Sequence, residues 1–418
     1  MSSVVGSEAI LYDRDVFDEA AYLRMYPDIA LAITEGRERS AWNHFDRHGR
    51  AEGRKPFDFD SEFYLRSYPA AAQDIAAGLA GSPLRHYVMF GRGRGYVPTL
   101  RAPRPQNAAQ SQCPFGGFWT DQANAFDQLQ GRIECGRLTP EQGKRVAFWI
   151  ANGYVVLEAA IPPHLVDAAA VDLEKAYAGG FEKLKFECHM PRIDGLATWQ
   201  PYMNEHPAKA LDIHHFSRAT RNLIFSAPVA EFLGFIFDAK TFATQTLGFL
   251  RGSAQGGHQD SAYVPYTIPR QFAATWIALE DVTLGAGELF YYPGSHRFPD
   301  YLYLGGYKSI AEARRMEPDG KFGDQVEDHV RSLEQRAREA GIARLPFAAK
   351  KGDVLVWHSD LVHGGAPVSR DITRKSVVTH YCPKHVAPLF GEWLPTKIWE
   401  HDGHRFTTSH YIGMEPTD

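Results

Sequence analysis

The sequence predicts an α+β protein in which a small helical domain of two repeats precedes a large domain with a β-sandwich or barrel. Three observations support this fold class. The first 100 residues contain the same pattern twice, residues from about 139 to 237 carry apolar side chains at helical spacing, and from residue 241 onward short β-rich runs alternate with Gly and Pro. A chain of 418 residues is also long enough for two domains.

Composition excludes several classes of protein. The chain is 44% hydrophobic and 23% charged, with a formal net charge of −5, which is unlike a disordered chain and gives no basic excess for a nucleic-acid partner. The sequence contains no run of about 18 apolar residues, so no transmembrane segment is predicted. The N-terminus lacks the pattern of a secretory signal, and the four cysteines have no paired spacing. We therefore expect a cytoplasmic protein.

The first domain, residues 1–100, repeats one pattern at an offset of 42 residues. The matched positions include Phe17/Phe59, Tyr22/Tyr64, Tyr26/Tyr68, His44/His86 and Gly49/Gly91. Each copy predicts two short helices, the first ending at a Tyr-Pro turn and the second at a glycine. His44 and His86 are interpreted as packing residues, with a ligand role as the alternative. The unit resembles a short repeat found beside glycan-related enzymes of bacteria, which suggests a protein or glycan partner for the repeats.

A Pro- and Ala-rich linker is predicted at 101–112, followed by a large domain over 113–418. Its first clear helix begins after Thr139, where Pro140 and Gln142 complete a capping box, and ends near Ala151 before Gly153. A strand is predicted at 154–157, and further helices after Pro163 and over 218–237. Strands are predicted at 242–250, 272–279, 288–292, 353–357 and 375–381, interrupted by a charged insertion over 298–345.

Four residues in the β-rich region form a pattern suited to metal chemistry. His258 and Asp260 are two positions apart, so that on a strand both would face the same side. A third ligand from a distant strand, His363, would complete a two-His, one-carboxylate set, which leaves coordination positions open. Arg374 follows eleven residues later and can bind a carboxylate through two hydrogen bonds.

The region from about 139 to 383 resembles the phytanoyl-CoA dioxygenase family of Fe(II)/2-oxoglutarate-dependent oxygenases. The resemblance rests on His258-Gln259-Asp260, the Pro-Gly-Ser-His turn at 293–296, the Gly-Asp-Val-Leu run before His363, and Arg374. It implies a double-stranded β-helix, a jelly-roll of the cupin kind, with supporting helices. It further implies that His258, Asp260 and His363 are the catalytic iron ligands and that Arg374 binds the C5 carboxylate of 2-oxoglutarate. Trp276 would line the cosubstrate pocket and Gln245 would contact the cosubstrate.

The same resemblance implies a reaction and its cofactors. Fe(II), 2-oxoglutarate and O₂ would support hydroxylation of an unactivated C–H bond in a small-molecule, lipid or glycan-related substrate, with release of succinate and CO₂. Desaturation and ring closure stay open. Two alternatives also remain: a non-catalytic jelly-roll binding protein that uses the repeats for interaction, and a different divalent-metal enzyme of the cupin type.

Other polar residues have competing interpretations. His358-Ser359-Asp360 is a second His-x-Asp, interpreted as core or as support for the ligands, while His296 either holds a turn or faces the mouth of the pocket. Arg251 is either functional or a structural ion-pair partner, and Gly256-Gly257 suggest a close approach of backbone to the site.

The remaining candidates concern the family pattern and the substrate. Gly365 stands where the family often has a serine, so another hydroxyl or a backbone group would have to replace it. The C-terminal histidines His401, His404 and His410 are interpreted as solvated rather than metal-binding. The insertion contributes residues that suit either an acidic substrate group or a charged surface: Tyr301, Tyr303, Tyr307, Arg314 and Arg315.

Overall fold

The computed structural model describes residues 17, 19–34, 37–91, 96, 115–318, 320, 322–390, 397–411 and 413–417. The chain divides into two compact units, Met1–Arg104 and Pro105–Asp418. The predicted linker at 101–112 lies outside the described residues.

The first unit contains two similar sets of three short helices. The helices are α1 (Glu19–Met25), α2 (Pro27–Thr34), α3 (Ala41–His44), α4 (Ser61–Ser67), α5 (Pro69–Ala76) and α6 (Pro83–His86). The helices α3 and α6 each continue into a wider helical turn, Phe45–Gly49 and Tyr87–Gly91. The prediction of two helices per copy was wrong, because the proline after each Tyr-Pro step begins a further helix, a position where proline is well tolerated.

The same hydrogen bond stabilises each set of helices. The Tyr22 hydroxyl lies 3.0 Å from Nδ1 of His44, and the Tyr64 hydroxyl lies 2.7 Å from Nδ1 of His86. All four side chains are buried. The two histidines therefore have hydrogen-bonding partners within their own sets of helices, as the packing interpretation expects.

The helices of the second unit begin and end at recognisable capping residues. They are α7 (Ala125–Glu134), α8 (Pro140–Asn152), α9 (Pro163–Ala176), α10 (Arg218–Ile224), α11 (Ala227–Phe237), α12 (Ile310–Met316) and α13 (Gly323–Glu339). The capping box of Thr139 and Gln142 is present, and Gly153 ends α8 at φ 75°. The predicted helix over 218–237 is two helices, since α10 ends at Ile224 and α11 starts with Pro228 in its first turn.

Two β-sheets form the body of this unit. The strands are β1 (Tyr154–Leu157), β2 (Lys185–Met190), β3 (Ile193–Thr198), β4 (Ala208–Leu211), β5 (Thr241–Phe249), β6 (Ala273–Ala278), β7 (Leu289–Tyr291), β8 (Leu345–Phe347), β9 (Val354–His358), β10 (His363–Gly365), β11 (Ser376–Pro383), β12 (Trp399–His401) and β13 (His404–Phe406). The major sheet has the order β1-β9-β6-β11-β5-β4-β2-β3, all antiparallel, with the β12–β13 hairpin added beside β5, and the minor sheet has the order β10-β7-β8.

The prediction that helices come first and strands later in the large domain was only partly right. The strands β2, β3 and β4 precede residue 241 and extend the major sheet beyond β5. Their exposed and polar residues weaken the apolar signal, since β3 has no buried residue along its length. The five strands predicted after residue 241 all occur, with ends shifted by one or two residues.

The register of the major sheet brings several large side chains onto the face that looks toward the minor sheet. Trp357 of β9 and His380 of β11 both lie opposite Ala274 of β6, and residues directly opposite each other share a face. Ring centroids of Trp357 and His363 are 4.8 Å apart across the two sheets, and those of Trp276 and Phe347 are 5.6 Å apart. The space between the sheets is therefore the place where the predicted site residues meet.

No helix in the described part of the chain is both long enough and apolar enough to cross a membrane.

The glycine that ends each set of helices in the first unit gives a test of the packing. A Cβ at Gly91 would lie 2.2 Å from the Tyr64 hydroxyl, whereas a Cβ at Gly81 would meet nothing within 4 Å. We expect Gly91→Ala to destabilise α4–α6 by about 1–3 kcal/mol, because a packed interior has no room for an added methyl group. Amide hydrogen exchange over residues 61–91 measures the loss. The control, Gly81→Ala, should leave the exchange rates unchanged, and equal rates in both variants would contradict the packing.

Candidate metal centre

His258, Asp260 and His363 come together between the two sheets. One ligand atom from each residue lies within 4.8 Å of the other two. Oδ1 of Asp260 is 3.5 Å from Nε2 of His258 and 3.6 Å from Nε2 of His363. In the described part of the chain, this is the one group of three or more His, Cys, Asp or Glu side chains that could hold a metal ion.

The backbone around these residues differs from the predicted strand. His258 belongs to no strand but forms an isolated bridge with His363, with backbone N–O distances of 2.9 and 3.0 Å. Asp260 begins a short 3₁₀ turn, Asp260–Ala262. The prediction that alternation along a strand places both side chains on one face was therefore wrong, and the turn at Asp260 brings its carboxylate to the two imidazoles.

A close backbone approach exists here, but not at the predicted glycines. A Cβ at Gly256 would meet nothing within 4 Å. A Cβ at Gly364 would instead lie 2.7 Å from the carbonyl oxygen of Gln255 and 2.9 Å from that of Gly256. The bridge between His258 and His363 therefore depends on the glycine after His363.

The tautomers of both histidines follow from their hydrogen bonds. Nδ1 of His258 lies 2.9 Å from the carbonyl oxygen of Gly256, and Nδ1 of His363 lies 2.9 Å from that of Leu361. A carbonyl oxygen only accepts, so Nδ1 carries the proton in both rings and Nε2 presents its lone pair. Burial lowers the pKa of His363 to about 4, against the opposing effect of Asp260, so this imidazole is neutral near pH 7.

The Asp260 carboxylate is held by two further side chains. Its Oδ2 accepts a hydrogen bond of 2.8 Å from the indole N–H of Trp357 and lies 3.4 Å from Nε2 of His380. Burial would raise the pKa of Asp260, but the imidazoles of His363, His258 and His380 around the carboxylate outweigh it, so the pKa lies well below the ordinary value. The group is therefore an anion facing two imidazole lone pairs, the electrostatic arrangement of a cation site.

Arg374 lies buried beside Trp276, two residues before β11 begins. The face of the major sheet that carries Trp276, Trp357 and His380 is called the wall below. Its Nη1 donates to the carbonyl oxygen of Gly287, and its guanidinium carbon is 5.7 Å from the ring centroids of both Phe249 and Trp276. Burial lowers its pKa to about 10, which still leaves it charged near pH 7. Arg374 forms no ion pair among the described residues, and the charge of Glu288 offsets the effect of burial on its pKa only in part.

Three donors near this end of the wall are buried without a hydrogen-bonding partner among the described residues: Nε of Arg374, Nε1 of Trp276 and Oγ of Ser376. Buried polar groups are normally paired, because leaving one unpaired costs free energy. The absence of partners therefore points to a polar group that binds here. Trp276 lies beside Arg374 on this wall, and its role in lining a cosubstrate pocket stays a prediction.

Gln245 lies elsewhere on the wall. Its Oε1 is 3.1 Å from Nδ1 of His380, and its Nε2 donates to Oγ of Ser409 over 3.0 Å. In the structure Gln245 therefore supports His380 rather than facing Arg374.

Sequence reasoning missed Ser376, Trp357 and His380. Ser376 follows Arg374 by two positions, so that in an extended chain both side chains share a face, and this spacing was an available signal. Trp357 and His380 had no local signal, because strand register alone brings them to Asp260. At Gly365, a Cβ would lie 2.9 Å from Oγ of Ser253, so the Ser253 hydroxyl takes the space of the side chain that Gly365 lacks.

The competing histidines and Arg251 have structural partners. Nε2 of His358 lies 3.2 Å from Asp121, and His296 is buried beside His358 rather than at a pocket mouth. Arg251 pairs with Asp371 over 2.7 Å, as the structural interpretation expects.

His401 and His404 lie opposite each other in the β12–β13 hairpin and are partly exposed, where His401 bonds to Asn222 and His404 stacks on Phe225. His410 is exposed beside Asp212. In the described part of the chain none of the three belongs to a group that could hold a metal ion, as the sequence interpretation expects.

The insertion has an apolar core of its own. Tyr303 is fully buried and bonded to His329, and Tyr301 stacks on the same imidazole. These two tyrosines therefore pack inside the insertion, while Arg314 and Arg315 are exposed on α12.

Comparison with known proteins identifies the family. The family model for phytanoyl-CoA dioxygenase matches residues 149–376, more than half of the chain, and this range contains the triad and Arg374. The chain belongs to the phytanoyl-CoA dioxygenase family. The resemblance noted in the sequence is thereby confirmed.

Individual relatives are more distant. Phytanoyl-CoA dioxygenase 1 of Oryza sativa subsp. japonica is 28% identical over 202 residues, which cover 44% of this chain and 61% of the rice protein. Among solved structures, the non-heme α-ketoglutarate-dependent epimerase SnoN of nogalamycin biosynthesis is 16% identical, with a TM-score of 0.41 over 59% of this chain and 85% of SnoN. Iron-bound EctD from S. alaskensis is 18% identical, with a TM-score of 0.41 over 59% of this chain and 76% of EctD.

Metal affinity tests the role of the hydrogen bond that Trp357 donates to Asp260 in this member of the phytanoyl-CoA dioxygenase family. We expect Trp357→Phe to weaken binding of Co²⁺, a spectroscopic probe, by about 10–100-fold, because groups that orient a metal ligand contribute this much to affinity. Titration of the visible cobalt absorption gives the dissociation constant. Trp149→Phe is the matched control, since Trp149 is equally buried and donates instead to Thr120. Equal cobalt affinities in the two variants would contradict the role of Trp357.

Proposed function

We propose that this protein is an Fe(II)- and 2-oxoglutarate-dependent dioxygenase that hydroxylates an unactivated C–H bond. The observation that carries the proposal is the cluster of His258, Asp260 and His363 on the same wall as the buried guanidinium of Arg374. The proposal includes a double-stranded β-helix formed by the two sheets and a domain of two 42-residue repeats at residues 1–100.

The donor set suits iron. Two neutral imidazole nitrogens and one carboxylate form the facial triad of non-heme Fe(II) oxygenases, which leaves coordination positions open for other ligands. The Nδ1 hydrogen bonds direct Nε2 of each histidine toward the metal position, and Asp260 is already an anion there.

The polar groups near Arg374 suit 2-oxoglutarate. This cosubstrate has a carboxylate at each end, so one end can bind iron while the other satisfies the unpaired donors of Arg374, Trp276 and Ser376. Charge-assisted hydrogen bonds between Arg and a carboxylate are among the strongest in proteins. The aromatic rings of Phe249 and Trp276 beside the guanidinium exclude water from this contact.

When bound, iron and 2-oxoglutarate would activate O₂: 2-oxoglutarate would be oxidised to succinate and CO₂, with one oxygen atom of O₂ entering succinate and the other the substrate. The contribution of the chain is to hold the reacting groups and to exclude water. Trp357 orients Asp260, the bridge between His258 and His363 sets the separation of the two imidazoles, and buried side chains of both sheets enclose the centre. Tyr263 packs edge-on against the imidazole of His258, with ring centroids 5.7 Å apart, and is 41% exposed. Substrate would therefore enter beside His258, where the centre lies nearest to solvent.

The proposed substrate is a small molecule or a group linked to a lipid or glycan, and the first unit would bind a protein or glycan partner. An intact Asp260 argues against halogenation, for which a halide would need the place of the carboxylate. Incubation of the enzyme with a metabolite extract, iron and 2-oxoglutarate would identify the substrate by the gain of one oxygen atom.

Absorption spectroscopy without oxygen tests the proposal. The protein with Fe(II) and 2-oxoglutarate should give a weak visible charge-transfer band, and admission of O₂ should release succinate. His258→Ala should lose both signals, because the triad then lacks one ligand. His189→Ala, on the exposed β2–β3 hairpin, should keep both. If the wild-type protein gives neither a band nor succinate, it is a binding protein on the same fold and the proposal fails.

The role of Arg374 predicts a separate effect. We expect Arg374→Met to weaken 2-oxoglutarate binding at least about 30-fold, since loss of one partner from a buried charged pair costs about 2–5 kcal/mol. Cobalt affinity should stay within about twofold, because Arg374 is not a metal ligand.

The control for this variant is Arg331→Met, on the exposed face of α13. It should bind 2-oxoglutarate as the wild type does. A different divalent-metal enzyme of the cupin type predicts instead that Arg374→Met keeps full activity, and that result would overturn the assignment of the cosubstrate.

A further inference from the structure

A buried cluster of four charged side chains lies beside the metal centre and takes no part in the proposed chemistry. Asp360 is paired with Arg270 over 2.7 Å and with Lys308 over 3.2 Å, and Lys308 also pairs with Asp300 over 2.5 Å. The side chains of Asp360 and Lys308 are 2% and 3% exposed. Lys308 belongs to the insertion and lies two residues before α12.

Asp360 joins the two segments that carry the metal ligands. It lies three residues before His363, and its carboxylate accepts a hydrogen bond from the hydroxyl of Ser261, the residue after Asp260. The backbone N–H of Ser261 also donates to the carbonyl oxygen of Ser359 over 3.1 Å. Movement of Asp360 would therefore move both sides of the triad.

A second connection runs from the insertion to the residue between His258 and Asp260. Buried Gln259 donates through Nε2 to the carbonyl oxygen of Asp360 over 2.7 Å, and its Oε1 lies 3.3 Å from Nε2 of His329 on α13. Nδ1 of His329 lies 2.8 Å from the Tyr303 hydroxyl. An imidazole protonated on Nε2 donates to Gln259 and accepts from Tyr303, so every group in this chain of hydrogen bonds has a partner.

We infer that Lys308 is a positioning residue for the metal centre: through Asp360 it fixes the separation of the 258–261 and 359–363 segments, which makes the insertion part of the scaffold of the triad. This inference rests on the proposed function, because it assumes that the triad binds a metal ion. The insertion is then neither a charged surface excursion nor only a cover over the site.

Fold stability alone does not account for a charge at this position. Burial of an ammonium and a carboxylate carries a large desolvation cost, and apolar side chains of similar volume often serve stability as well or better. A buried ion pair does, however, restrict the geometry of the groups it joins. Groups that orient metal ligands typically change metal affinity by about 10–100-fold when they are removed.

The first test is the metal affinity of a variant that keeps the charge of the cluster balanced. The double variant Lys308→Met/Asp300→Asn loses one charge of each sign and leaves Asp360 paired with Arg270. We expect the dissociation constant for Co²⁺ to rise about 10-fold or more. The matched control carries Lys350→Met and Asp281→Asn, an exposed pair of the same residue types at 3.0 Å, and should bind Co²⁺ as the wild type does.

The second test uses the reciprocity of coupled equilibria. If Lys308 links the insertion to the triad, then metal binding must in turn stabilise the insertion. Addition of Co²⁺ to the wild-type protein should slow amide hydrogen exchange in α12 and α13, and this protection should be absent from the Lys308→Met/Asp300→Asn variant. The measurement on the wild-type protein is informative whether or not the double variant folds.

The outcomes separate the inference from the proposed function. If the wild-type protein binds no Co²⁺, the proposed metal centre fails. If it binds Co²⁺ but α12 and α13 gain no protection, or if the double variant melts at a lower temperature yet keeps wild-type affinity, Lys308 serves fold stability only and the inference is overturned.

Discussion

The antiparallel bridge between His258 and His363 is the interaction on which the metal centre depends. Its two hydrogen bonds, 2.9 and 3.0 Å long, join a loop outside both sheets to the first residue of β10. Gly364 allows the backbones to approach, because any side chain there would meet the carbonyl oxygens of Gln255 and Gly256. Once the bridge forms, the local hydrogen bond from each Nδ1 to a backbone carbonyl directs both Nε2 atoms toward Asp260.

Electrostatics then decides what the enclosed space can bind. Asp260 stays ionised despite burial, and a neutral His363 faces it, so the triad attracts a cation. On the same wall Arg374 keeps its positive charge and forms no ion pair among the described residues, so that end attracts an anion. The cluster of Asp360, Arg270, Lys308 and Asp300 is by contrast balanced in charge, which suits a structural role. A cation site beside an anion site is the arrangement that a chelating dicarboxylate bound to a metal ion requires.

The sequence predicted local structure well wherever the signal was local. The α8 helix (Pro140–Asn152) is capped by Thr139 and Gly153 as its capping box and glycine predict, and the strand at 154–157 has the predicted ends. Prediction from the sequence failed where the local structure depends on segments that lie far apart in the chain. The strands β2–β4 are partly exposed and join the sheet only through a series of pairings, β4 with β5, β2 with β4 and β3 with β2. Strand register also brings Gln245 against His380, a contact that the sequence alone did not predict, while its contact with the cosubstrate stays a prediction.

The sequence by itself determined the types and spacing of the reactive groups: His258 and Asp260 two residues apart, a distant His363, and Arg374 after it. It also determined the family, because these residues occur in the order the family requires. Only the tertiary structure decided how the groups meet. A 3₁₀ turn rather than a strand presents Asp260, register rather than sequence spacing brings Trp357 to its carboxylate, and the insertion reaches the ligand segments through Lys308 and His329. The physical reason is that side-chain spacing depends on local backbone geometry, whereas contacts between distant segments depend on how sheets pair and pack.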